Sequence, residues 1–222
     1  MAIFLIAFVV LLVVGVPISI SIGASAILGC LSLGYPLVVI GQKMVSGVDS
    51  FLLIAVPLFI LAGNLMNAGK ITEKIFDACK ELVGWIPGGL GHANVVASVI
   101  FAGMSGSAVA DAGGLGAIEM EAMTKNGYDE EFSGAVTAAS SVIGPIFPPS
   151  IPLIIYGSVA SVSVDRLFMG GVVPGLLMGV LLMVLILWYA IRRKYERHAF
   201  CLKNFLKKTF YGIPAFLTPL II

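Results

Sequence analysis

Charged side chains interrupt this chain rarely and in clusters. No Asp, Glu, Lys or Arg occurs in 1–42, 50–69, 82–110, 132–164 or 167–191. A helix that crosses a bilayer needs about 20 mostly apolar residues. Each of these five runs is long enough to supply one, and a water-soluble fold rarely needs so many. The pattern predicts an all-α polytopic membrane protein.

Within the runs, glycine and proline set the boundaries. The stretch 2–34 is too long for one ordinary span and is interrupted by Gly15-Val16-Pro17. Proline lacks an amide donor and fits best at a helix start. Two short helices over 2–14 and 17–34 are predicted, a single kinked helix being the other reading. Gly34-Tyr35-Pro36 ends the second. A weakly amphipathic stretch with Lys43 and Asp49 leads to an apolar span over 51–67, whose Asn64 and Asn67 are suited to facing other helices. Residues 70–84 alternate Lys70, Glu73, Lys74, Asp77, Lys80 and Glu81 with Ile71, Ile75, Phe76, Cys79, Leu82 and Val83 at helical spacing. That pattern predicts an amphipathic helix along the membrane surface, followed by Trp85 at the interface. An ordinary surface helix within a loop fits the same pattern.

The stretch 88–123 combines eight glycines with Ser105, Ser107 and Asp111. It predicts a re-entrant hairpin of two half-helices, 90–104 and 112–124, around a turn of small residues. Irregular backbone is tolerated at membrane depth only where protein or a water-filled cavity surrounds it. The run 132–164 is broken by Gly144-Pro145-Ile146-Phe147-Pro148-Pro149-Ser150-Ile151-Pro152. A helix over 131–143, an unwound crossing and a second half over 151–162 follow. A clean span is predicted at 169–191, with Gly171, Gly175 and Gly179 forming a smooth packing ridge.

Composition sharpens the class. Of the 222 residues, 59% are hydrophobic and 11% charged, against about a quarter charged in soluble domains. The net charge of +1 offers nothing to nucleic acid. Cys30, Cys79 and Cys201 are too far apart for a metal knuckle or redox pair. The opening Met1-Ala2-Ile3-Phe4 lacks a basic leader and reads as a retained membrane segment. Arg192, Arg193, Lys194, Arg197, Lys203, Lys207 and Lys208 form the one strongly basic segment, which the positive-inside rule assigns to the cytoplasm. Counting back, Asp165-Arg166 is periplasmic, loop 124–130 is cytoplasmic, and the hairpin opens to the cytoplasmic side. The N-terminus is periplasmic with two helices before residue 35, cytoplasmic with one. From Gly212 a new apolar element begins, and the chain stops within it.

A broken helix beside a re-entrant hairpin suits an ion-coupled transporter. Unwinding frees carbonyl oxygens that can replace water around Na⁺, and half-helix N-termini point amides at anions. The candidate elements are Gly103-Met104-Ser105-Gly106-Ser107 and Ser140-Ser141-Val142-Ile143-Gly144-Pro145. Asp111, the lone acid of the hairpin, is either an N-cap of the second half-helix or a functional carboxylate. Glu119 and Glu121 are expected near the cytoplasmic rim. His92 reads as a polar cap and Tyr156 as a packed aromatic.

The segments from Phe101 to Ala112 (FAGMSGSAVADA) and from Thr137 to Pro152 (TAASSVIGPIFPPSIP), with Ile155-Tyr156-Gly157 and Val56-Pro57-Leu58-Phe59-Ile60-Leu61-Ala62-Gly63-Asn64, are similar to signatures of one family. That family is the large membrane subunit of tripartite ATP-independent periplasmic (TRAP) transporters, and the resemblance covers the whole chain. It implies the first inverted repeat of an elevator fold of the ion-transporter superfamily, in the N-terminal half of a longer permease. The implied function is Na⁺-coupled import of an organic acid, such as a C4-dicarboxylate or sialic acid, across the bacterial inner membrane. A small four-helix membrane subunit and a periplasmic solute-binding protein are the implied partners. The implied layout is a scaffold over 1–68, an amphipathic arm over 69–86 and a transport-domain part over 87–165. That part holds the hairpin 88–124 and broken helix 131–162. A transmembrane helix over 166–192, a basic connector over 193–211 and the start of the second repeat over 212–222 complete it. On this resemblance the Na⁺ ligands are Ser105, Gly106, Ser107, Ser141, Gly144, Pro145 and Pro148, largely through carbonyls, with Ser140, Ser150 and Asp111 toward substrate.

Three other functions make different demands on the sequence. Gly103-Met104-Ser105-Gly106 fits the Gly-x-Ser-Gly pattern of intramembrane serine proteases, but that chemistry needs a histidine base from a later helix. Only His92 and His198 exist, the first preceding the serine and the second in the basic segment. No HExxH or Walker loop points to a metalloprotease or ATP-driven pump, so no enzyme is expected. A Na⁺/divalent-anion symporter of the same architecture, working without a binding protein, is the nearer alternative. A membrane anchor has no need of paired helix breaks.

Overall fold

The computed structural model describes residues 2–49, 51–193 and 195, and among them every regular element is helical. The predicted connector and second-repeat start lie outside the described residues, apart from Arg193 and Tyr195.

The first unit ends at Phe51. In it α1 (Ala2–Val13) and α2 (Ile18–Ser32) are separate helices, so Gly15-Val16-Pro17 divides rather than kinks. They fold back on each other: a Cβ placed on Gly29, near the end of α2, would lie 3.3 Å from the Phe4 side chain near the start of α1. α3 (Leu37–Val48) starts at its own proline, Pro36. Most large apolar side chains of α1 face outward, including Ile3, Leu5, Ile6, Val9, Val10 and Val13.

The second unit begins with α4 (Phe51–Ala68) and α5 (Ile71–Val83). The apolar face of α5, carrying Ile75, Phe76, Ala78 and Cys79, is buried, and the helix packs on α6 (Gly89–Ser105). After a turn at Gly106 and Ser107 the chain runs back. A short α7 (Ala108–Ala110) continues through a π-helical turn over Asp111–Leu115 into α8 (Gly116–Lys125). The returning arm therefore starts at Ala108, not at 112, because Ser107 supplies the cap. α9 (Glu130–Ser141) rises beside α6 and α8, the chain leaves the helix over 142–150, and α10 (Ile151–Ala160) resumes it.

α11 (Val164–Arg193) is the one unbroken helix among the described residues long and apolar enough by itself to cross a bilayer. It starts earlier than the predicted 169, taking Asp165 and Arg166 into its first turn. One face is smooth and buried: Gly171, Gly175, Gly179, Ile186 and Ala190. The opposite face presents Val173, Leu177, Val180, Leu181, Val184, Leu185 and Trp188 outward. An outer apolar surface over an inner small-residue seam is what a lipid-facing helix requires.

The base of the bundle is fastened by polar and aromatic contacts. Arg193, at the end of α11, pairs with Asp129 just before α9. The Tyr195 hydroxyl donates to the same carboxylate at 2.7 Å, and Tyr195 stacks on Tyr128 with ring centroids 4.2 Å apart. The α8–α9 connection and the basic end of α11 therefore lie at one level, as the predicted topology requires.

Candidate functional site

The hairpin turn and the break in the α9–α10 run meet. Gly106 sits at φ +58°, a conformation glycine adopts without strain, and its carbonyl accepts from the Ile151 amide at 3.2 Å. There is no room for a side chain, since a Cβ on Gly106 would come 2.5 Å from the Pro149 carbonyl oxygen. On the other side, a Cβ on Gly144 would lie 3.2 Å from the carbonyl carbon of Ser107 and 3.4 Å from the amide of Ala108. The two glycines bring main chain directly onto main chain.

Local hydrogen bonds shape each half. Ser107 is extended and caps α7, its Oγ accepting from the Ala110 amide at 3.3 Å. In the break, Ile143 and Gly144 amides donate back to Ser140 and Ser141 carbonyls at 3.0 and 3.1 Å, and the Phe147 amide reaches Ile143 at 2.8 Å. The segment thus turns tightly rather than running extended. Ser150 closes it, donating to the Pro145 carbonyl at 2.5 Å and capping α10 through the Leu153 amide at 3.2 Å. Among the hydrogen bonds of the described residues, the Gly144 and Pro148 carbonyls accept none. α11 seats this turn: a Cβ on Gly171 would meet the Ile146 carbonyl oxygen at 2.3 Å, and one on Gly175 the Phe147 side chain at 3.1 Å.

Not every expected residue faces this junction. Gly106, Ser107, Gly144 and the Pro148–Pro149 backbone gather there. Ser105 is buried and its Cβ lies 3.7 Å from where a Cβ on Gly63 of α4 would stand. Ser140 and Ser141 take part in a buried polar seam between α6 and α9. Ser140 donates to Asn94 Oδ1 at 2.7 Å, Ser98 donates to Ser140 Oγ at 3.1 Å, and Asn94 donates to Thr137 Oγ1 at 2.8 Å. Ser141 donates to the Thr137 carbonyl at 2.8 Å. Asn94, Ser98 and Thr137 were not singled out by sequence reasoning, because small polar residues in apolar runs carry no spacing signature.

Three expectations about polar side chains are corrected. Asp111 is no N-cap, since Ser107 holds that position and Asp111 lies inside the helical run. It is 1% exposed, and neither carboxylate oxygen has a hydrogen-bond partner among the described residues. Ser98 and Ser141 stand beside it, but their hydroxyl protons point to Ser140 and Thr137. Glu119 is fully buried and both its oxygens lack partners among the described residues. Glu121, two residues on, is exposed and pairs with Lys125 at 2.5 Å. His92 caps nothing: it is buried inside α6, with the Pro87 carbonyl nearby but outside hydrogen-bonding geometry. Tyr156 is exposed rather than packed.

Among the described residues no three His, Cys, Asp or Glu side chains gather as a metal-binding group. The junction offers hydroxyl and carbonyl oxygens, the donor set of a hard cation rather than of zinc or iron.

Comparison with known proteins gives the family. The model of the family described as tripartite ATP-independent periplasmic transporter, DctM component, matches residues 5–222. The sialic acid TRAP transporter large permease protein SiaM of Vibrio cholerae is 48% identical over 188 residues, 82% of this chain and 43% of that protein. The sialic acid TRAP transporter permease protein SiaT of Haemophilus influenzae is 49% identical over 185 residues, 82% of this chain and 30% of its own length. The C4-dicarboxylate TRAP transporter large permease protein DctM of Vibrio cholerae is 39% identical over 204 residues, 91% of this chain and 43% of its own. The chain thus spans less than half the length of these relatives. Carrying the family's match almost from end to end, it belongs to the DctM component of the tripartite ATP-independent periplasmic transporters, a family of membrane permeases and not of enzymes.

Proposed function

We propose that this chain forms the first-repeat half of a Na⁺-coupled permease that imports an organic acid delivered by a periplasmic binding protein. The observation that carries this reading is the direct backbone contact between the hairpin turn at Gly106–Ser107 and the break at Gly144–Ile151. Two interrupted helices abutting end to end leave carbonyls without amide partners, and Gly144 and Pro148 have such carbonyls. With the Ser107 hydroxyl and the Gly106 and Pro145 carbonyls they form an oxygen-rich place for Na⁺, toward which the Ser105 and Ser141 hydroxyls, turned to α4 and to the α6–α9 seam here, would have to rotate. Ser140 and Ser150, buried and held by other contacts here, and Asp111, also buried, would reach a carboxylate only after their surroundings rearrange.

Depth supports the reading. At about 1.5 Å per residue, Gly171, which seats the break, is roughly 10 Å from the start of α11 and roughly 33 Å from its end. The junction thus falls within the length of α11, which is long and apolar enough to span a bilayer. In the proposed working cycle the scaffold 1–68 stays fixed in the inner membrane, and the amphipathic arm 69–86 links it to the part containing hairpin and break. That part moves as an elevator. A small membrane subunit and a solute-binding protein complete the assembly, and the relatives named for sialic acid and C4-dicarboxylate indicate a carboxylate cargo.

The test is uptake into proteoliposomes by the complete permease with its small subunit and binding protein. Transport is expected to require an inward Na⁺ gradient and the binding protein, and to fall at least tenfold in Gly144→Ala. Uptake without any binding protein would favour a symporter of the same architecture. Uptake indifferent to Na⁺ would overturn the coupling. Sodium dependence that survives Ser105→Ala with Ser107→Ala would leave coordination to the carbonyls alone.

A further inference from the structure

The junction leaves two buried acids unexplained. Asp111 and Glu119 are 1% and 0% exposed, and all four of their carboxylate oxygens lack a hydrogen-bond partner among the described residues. The two act on each other electrostatically, with the π-helical turn Asp111–Leu115 between them on the same arm. Such π-turns widen a helix and recur at functional sites.

Their surroundings differ. Asp111 has Ser98 and Ser141 beside it, hydroxyls that can rotate toward a charge. Glu119 lies on the inner face of α8. Met123, one turn on, is fully buried and touches the Asn94 amide at 4.0 Å. Besides Asp111, the titratable group acting on Glu119 is Cys79, buried on α5. α6 carries His92, the exposed start of α9 carries Glu130 and Glu131, and α5 carries Glu73, Lys74 and Asp77, all exposed, with Lys80 and Glu81 half-buried. Among the described residues no cation lies within ion-pair distance of Glu119.

An ionised carboxylate removed from water without a cation or donors is too costly to keep, and two like charges within interaction range cannot both persist. We infer that Glu119 is a proton-binding site that holds its carboxyl as the neutral acid. The proton is a ligand of the packed hairpin, enclosed by α5, α6 and α8.

The experiment needs neither Na⁺ nor substrate, so its outcome is separate from that of the transport reading. Infrared difference spectra of the purified complete permease in detergent, at neutral pH and with hydrogen–deuterium exchange, report the C=O stretch of a protonated side-chain carboxyl. The band is expected in the unaltered chain, lost in Glu119→Gln and retained in Asp111→Asn. Glu119→Asp guards against misfolding of the amide variant, since it keeps an acid and should shift the band without removing it. A spectrum with no such band, or one that survives Glu119→Gln, overturns the inference. Loss of the band in Asp111→Asn but not in Glu119→Gln places the proton on the wrong residue and overturns it equally.

Discussion

At the scale of single residues, two glycines carry much of the junction. Gly106 is both left-handed and within 2.5 Å, at its would-be Cβ, of a backbone oxygen. Gly106→Ala should therefore destabilise by at least about 1–2 kcal/mol for the left-handed conformation alone, and should abolish uptake by separating the turn from the break. Gly113 has open space where a Cβ would stand, so Gly113→Ala should leave both melting midpoint and uptake near those of the unaltered protein. Equal effects of the two substitutions would sink the close-contact argument. Asp129 makes a second residue-scale prediction. The Tyr195 hydroxyl bond, aided by Arg193, holds its carboxyl below the usual range. A carboxyl depressed in the native state stabilises the fold above its unfolded value, about 3.9, and loses that contribution as pH falls through the lower native value. The melting midpoint of the unaltered chain should therefore drop more steeply below about pH 4 than that of Asp129→Asn. Parallel acid profiles would show that the clamp adds nothing.

At the scale of elements, α11 acts as a template for the break. Its Gly171 and Gly175 admit the Ile146–Phe147 turn, and Gly179 admits Val99 and Ile143. Gly171→Ala places a methyl 2.3 Å from the Ile146 carbonyl oxygen, an overpacking expected to cost about 1–3 kcal/mol. Gly170→Ala, facing open space on the next residue, should cost nothing measurable. Thermal midpoints of the two variants in detergent decide this, and a larger loss at Gly170 would reverse the assignment of faces. The glycine spacing that predicted the ridge was legible in the sequence. What the ridge receives was not, because the partner comes from a turn that has no periodicity of its own.

At the scale of the whole molecule, the Arg193–Asp129 pair fixes which ends share a level. Under the topology proposed here, a cysteine at Lys125 or Asn126 should react with a membrane-impermeant maleimide only in inside-out vesicles. One at Ser163 should react in intact spheroplasts. Labelling of both positions from the same side would exclude a membrane-crossing α11 between them.

The sequence by itself determined the class and most of the element boundaries. Long charge-free runs have no stable place but a bilayer, and Gly-Val-Pro, Gly-Met-Ser-Gly-Ser and the proline cluster stop helices through local backbone chemistry alone. It also carried the family, because the hairpin and Pro-Pro-Ser-Ile-Pro segments are long and specific. Only the tertiary structure decided that Ser107 rather than Asp111 caps the returning arm, that Ser140 is committed to Asn94, and that Glu119 is enclosed while Glu121 is not. Capping depends on which residue stands at the turn, and burial on which face of a helix meets its neighbours. A one-residue difference along the chain rotates a side chain by about 100° around the helix, and only packing reveals which way it then points.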